Sequence, residues 1–105
     1  MGNVRPLISE DIGTENVLVD TLIGYLFEEG SKYYNNYDSD FAERAAAVNE
    51  LTKFLYALRK KESVKKDELS EIAQEIYSTL LSDVNSLSVE DKMKYFEVGR
   101  TKELQ

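Results

Sequence analysis

The sequence predicts an all-α fold: a small antiparallel helical bundle with three main helices and a short C-terminal fourth. Apolar residues recur at spacings of three and four along most of the chain, and no segment alternates with period two. Capping signals precede those runs. One Pro and five Gly among 105 residues leave only short connectors, which favour antiparallel neighbours. With 42% hydrophobic residues, the chain can bury one core, so residues 1–105 read as a single helical domain.

Residues 1–13 show no helical period and read as an irregular N-terminal segment. It ends in Asp11-Ile12-Gly13-Thr14, where Asp11 or Thr14 would cap the first helix by accepting from a free backbone N–H. That helix is expected from Glu15 to Gly30. Leu18, Leu22 and Leu26 recur every four residues, as do Val19, Ile23 and Phe27, giving it an apolar face wider than one intramolecular contact needs. Gly24 interrupts it at a cost of up to about 1 kcal/mol relative to Ala, which implies that another backbone comes close.

A tyrosine-rich connector, Ser31 to Asp40, follows. The second helix opens at Ser39 or Asp40, with Glu43 at capping-box spacing, and runs to Lys61 through Phe41, Ala45, Val48, Leu51, Leu55 and Leu58. The third starts near Ser63 and ends between Val84 and Ser86, with Leu69, Ile72, Ala73, Ile76, Leu80 and Val84 on one face. The fourth is capped by Ser88, shows Val89, Met93 and Phe96 as its apolar edge, and is expected to stop at Gly99. Residues 100–105 read as a frayed tail.

There is no His and no Cys. The commonest general base, the commonest metal ligand and the best protein nucleophile are therefore missing together. The sequence contains no P-loop, no Gly-rich dinucleotide loop and no Gly-x-Ser-x-Gly. Asp38-Ser39-Asp40 opens like a calcium loop, but Ala42 stands at the next ligand position. The paired Glu71 and Glu75 lack the His of a di-iron bundle. The expectation is a non-enzymatic protein with no cofactor and no metal.

The net charge is −7, and residues 1–50 hold three bases against ten acids, whereas 51–105 hold ten of each. Such an acidic half disfavours direct binding to nucleic acid or to anionic lipid. No apolar run is long enough to span a bilayer, and Pro6 stands where a myristoylation pattern wants Ser or Thr. A cytoplasmic protein without Cys is the expectation.

Three surfaces are candidates for recognition. Tyr33, Tyr34 and Tyr37 could form a contact patch, since tyrosine is large, amphipathic and concentrated at interfaces. Arg59, Lys60, Lys61, Lys65 and Lys66 form a basic cluster. There Lys65 and Lys66 would oppose the dipole of the third helix and so hint at an acidic or phosphate-bearing partner. Leu18, Leu22, Leu26 and Phe27 are the expected dimer face. The reading is a non-catalytic protein-binding domain acting through helix faces as a homodimer. The alternative is an acidic inhibitor, of phage or other mobile-element type, that blocks a nucleic-acid-handling protein by charge mimicry. Its carboxylates would be Glu10, Asp11, Glu15, Asp20, Glu28, Glu29, Asp38, Asp40, Glu43 and Glu50.

Overall fold

The computed structural model describes the backbone of residues 8–34 and 41–102, and the side chains of 17–34 and 41–102. Among these residues four α-helices pack around one core: α1 (Ile8–Glu29), α2 (Phe41–Arg59), α3 (Glu71–Asn85) and α4 (Val89–Arg100). Short 3-10 turns follow α1 (Gly30–Tyr33) and precede α3 (Lys66–Glu68). The predicted all-α bundle is the observed fold. Asp20 meets Arg59 and Gly30 lies beside Val48, so α2 runs antiparallel to α1. Glu50 meets Ser70 and Arg44 meets Glu75, so α3 runs antiparallel to α2.

The centre of the molecule is α1. Thr21 to Leu26 are all buried, because this stretch is enclosed by α2, α3 and α4. Leu22, Leu51, Leu55, Ile76, Leu80 and Val84 are almost wholly removed from solvent, each contributing about 1.5–3 kcal/mol of apolar burial. The closest helix pair is α1 with α4. A Cβ on Gly24 would overlap the Tyr95 carbonyl oxygen and lie 2.8 Å from the Gly99 amide nitrogen. One on Gly99 would overlap the Asp20 carbonyl oxygen. Two backbones meet where both side chains are absent, which confirms the expectation for Gly24.

Several boundaries differ from the sequence reading. Helix α1 begins at Ile8, so residues 8–13 of the supposedly irregular segment are helical. A nucleated helix extends at little cost per residue, and one internal glycine does not stop it. At the other end of the chain, Gly99 does not terminate α4, which runs on to Arg100; its lack of a side chain serves packing instead. Thr101 and Lys102 are tied down rather than frayed. The Thr101 hydroxyl donates to the Val98 carbonyl (2.9 Å), and the Lys102 carbonyl accepts from Arg59. Residues 103–105 lie outside the described residues.

The third helix starts at Glu71, eight residues later than Ser63. Two signals decide this. Ser70 caps it, accepting from the Ala73 amide at 3.2 Å, and Glu50 on α2 accepts from both the Ser70 amide and hydroxyl at 2.9 Å. Leu69 enters the core from the connector and not from a helix face. Ser88 caps α4 as expected, accepting from the Asp91 amide at 3.1 Å. The expected cap of α2 at Ser39 or Asp40 lies outside the described residues.

Candidate functional site

On α4, Val89, Lys92, Met93 and Phe96 stand at i, i+3, i+4 and i+7, which places them on one helix face. That face meets Val17, Leu18 and Thr21 of α1 and the end of α3 at Val84 and Asn85. Together they enclose a half-open groove of about 440 Å³. Six large apolar side chains are exposed among the described residues, and four of them line this groove: Val89 at 73%, Met93 at 61%, Val17 at 48% and Leu18 at 41%. The surface of this hollow is predominantly apolar. The Thr21 hydroxyl donates to the Val17 carbonyl at 2.7 Å, so it adds no unmet polarity to the wall. Among the described residues Lys92 is the one charged member of the lining.

The expected dimer face divides. Leu18 is exposed in the groove, but Leu22 and Leu26 are core residues with 1% and 5% exposure. Much of the apolar surface of α1 is covered by the three neighbouring helices of the same chain. Phe27 is exposed elsewhere, beneath the Lys102 ammonium at 3.8 Å from its ring centroid. It borders a small hollow of about 80 Å³ between α1 and α2. Four leucine-stripe residues therefore do not make one surface.

The tyrosine patch is likewise dispersed. Tyr33 is buried, its hydroxyl donating to Asp83 at 2.6 Å and its carbonyl accepting from Arg44 at 2.6 Å. Tyr34 is half-buried and meets Phe41 edge-on at 5.5 Å. Tyr37 lies outside the described residues. The Lys32 ammonium bonds the Tyr25 hydroxyl at 2.5 Å and pairs with Asp83 at 3.3 Å. Burial and then the Asp83 carboxylate push the Tyr33 phenol far above its ordinary range. The Tyr25 hydroxyl, ahead of Asp83, holds Lys32 charged above its own range against the opposing effect of burial. Both shifts favour the unreactive form, a protonated phenol and an ammonium, so the cluster is built to fasten the start of the connector to α3.

The basic cluster loses its arginine to the interior of the fold. Arg59 pairs with Asp20 at 3.0 Å, donates to the Gly99 and Lys102 carbonyls at the end of α4, and lies over the Tyr56 ring at 4.9 Å. Lys60, Lys61, Lys65 and Lys66 remain exposed. Lys65 and Lys66 stand at the 3-10 turn, not in the first turn of α3, so their supposed conflict with the α3 dipole does not arise. Lys61 takes a left-handed φ of 62° and ends α2 in a Schellman motif, with Glu62 N–H to the Ala57 carbonyl (3.0 Å) and Lys61 N–H to the Leu58 carbonyl (2.9 Å).

Of the acidic array, Asp20, Glu29 and Glu50 accept from Arg59, Tyr95 and Ser70 within the fold, whereas Glu28 and Glu43 are exposed. Glu10, Asp11, Glu15, Asp38 and Asp40 lie outside the described side chains. Among the described residues no group of acidic side chains is arranged to hold a metal ion, and no helix is long and apolar enough to cross a membrane. Sequence reasoning found the α4 edge of the groove but not its union with Val17 and Leu18, because only the close crossing of α1 and α4 joins them. Comparison with protein-family models, with curated proteins and with solved structures gave no match.

Proposed function

We propose that this chain is a non-catalytic protein-binding module that uses the groove face of α1 and α4, and that its simplest use of that face is self-association as a homodimer. The observation that carries the reading is the convergence of Val17, Leu18, Val89 and Met93 on one hollow. A second copy would cover these side chains, and apolar burial of that kind is the usual driving force of association. The acidic-inhibitor alternative has less support, since three carboxylates of its array are engaged inside the fold.

Light scattering during size-exclusion chromatography, from low to high micromolar, tests this. The expected mass is twice 12.0 kDa at the upper end. Met93→Glu should return the chain to one copy without lowering its melting temperature, because Met93 is 61% exposed in a single chain. A single-copy mass at every concentration would remove the homodimer.

A further inference from the structure

The sequence holds two methionines and no cysteine, and Met93 carries the one sulfur atom among the described residues. Its side chain is on the surface, 61% exposed. It also stands at the centre of the apolar face of α4, four residues after Val89 and three before Phe96, and lines the groove together with Val17 and Leu18. A thioether buried in a core is shielded from oxidants, and one at the surface is open to them. Here that openness coincides with apolar company. Oxidation by a peroxide transfers one oxygen atom. The sulfur lone pair forms the new S–O bond as the O–O bond breaks, and the departing hydroxide takes the remaining proton and leaves as water. The sulfur is oxidised and the peroxide is reduced. The product is a polar sulfoxide, which must shed its water to enter an apolar contact.

We propose that Met93 is an oxidation site that switches the groove: as a thioether it supports contact with a second copy, and as a sulfoxide it opposes that contact. The effect on association rests on the homodimer reading above, whereas the reactivity of the sulfur rests on its exposure in a single chain. The coupling runs in both directions. A second copy that covers Met93 shields the sulfur from peroxide, and the sulfoxide weakens the hold of the second copy. The change is reversible, because methionine sulfoxide reductases return the thioether.

Hydrogen peroxide is the probe. Peptide mass mapping follows the added oxygen at Met93, and light scattering during size-exclusion chromatography follows the mass of the full chain. In dilute, single-copy chain Met93 should oxidise at the rate of methionine in an unstructured peptide, and more slowly once the dimer prevails. The oxidised chain should need about ten-fold more protein to reach the same dimer fraction, which corresponds to about 1.4 kcal/mol. Reductase treatment should restore the parent's behaviour. Met93→Leu keeps the volume and the apolar character, so it should dimerise like the parent and continue to do so after peroxide, although Met1 remains oxidisable. A dimer unmoved by complete oxidation of Met93 overturns the switch and spares self-association. So does a Met93 that resists peroxide in the single copy, or one whose oxidation rate ignores protein concentration while dimers form. Loss of association in peroxide-treated Met93→Leu places the effect at another residue and overturns the proposal as well. A single-copy mass at every concentration removes the homodimer, and the switch falls with it.

Discussion

Arg59 shows how far a side chain's role can sit from its sequence neighbourhood. Beside Lys60 and Lys61 it reads as part of a charged surface. In the fold its guanidinium joins three helices, taking the Asp20 carboxylate of α1, the Gly99 carbonyl of α4 and the Lys102 carbonyl just beyond it, while stacking on Tyr56 of its own helix. A planar fork with five donors can satisfy all of these at once, and an ammonium cannot. Arg59→Ala leaves the Asp20 carboxylate and the Lys102 carbonyl without this donor, while the Gly99 carbonyl keeps the Lys102 amide at 3.1 Å, and should cost about 2–3 kcal/mol, discounted from a fully buried pair because both partners retain some solvent contact. Arg59→Lys should recover less than half of that loss. Urea unfolding followed by circular dichroism measures both, and an Arg59→Ala variant as stable as the parent would show that the three-helix junction holds without it. No local pattern separates Arg59 from the adjacent lysines in sequence. Its partners are some forty residues away in either direction, so only the tertiary fold reveals the role.

Among the elements, α1 and α4 depend on two missing side chains. Gly24 was legible as a close approach because a glycine inside an apolar helix carries a propensity cost that packing must offset. Gly99 was misread as a stop signal, since a glycine near a helix end is usually a C-cap, and its partner in the chain is 75 residues distant. The start of α3 was misread for a similar reason: Ser63 and Ser70 both offer capping oxygens, and Glu50, on another helix, decides for Ser70. Gly24→Ala raises helix propensity by up to about 1 kcal/mol, so any net loss is steric. The new methyl would strike the Tyr95 carbonyl, a backbone atom that cannot rotate aside, and the expected loss is about 3 kcal/mol or more. Gly30→Ala is the control. Its methyl would sit 3.4 Å from Leu26 Cδ1, an ordinary contact, and the expected effect is neutral to a gain of up to about 1 kcal/mol. Thermal melts of the two variants should therefore move in different directions. Equal destabilisation would mean that the α1–α4 crossing is not the reason for Gly24.

For the whole molecule, composition and periodicity were enough to give the helix count and the all-α class, because both follow from where apolar side chains recur along the chain. The groove was half legible, as the Val89–Met93–Phe96 edge, and the polar network that fastens the connector was not. Tyr33 and Asp83 are fifty residues apart and neither belongs to a motif. That network makes stability depend on alkaline pH. Tyr33 is held protonated by burial and by Asp83, with its pKa raised above the ordinary 10.0, and Lys32 is held charged above its ordinary 10.5 by Tyr25 and Asp83. Tyr77, half-buried against Phe54, is raised by burial in the same direction. In each case the folded state binds its proton more tightly than the unfolded chain does. Their contribution is therefore complete at neutral pH, begins to fall as the unfolded groups titrate near pH 10, and continues to fall until the folded groups lose their protons. Melting temperature, followed by circular dichroism, should be flat through the mildly alkaline range and drop steeply above pH 10. Tyr33→Phe should cost about 1 kcal/mol at neutral pH through the lost hydrogen bond. It should also make the alkaline decline shallower, because one group that resists ionisation in the folded state is gone. A decline of unchanged slope in that variant would place the alkaline sensitivity elsewhere than at the contact between the connector and α3.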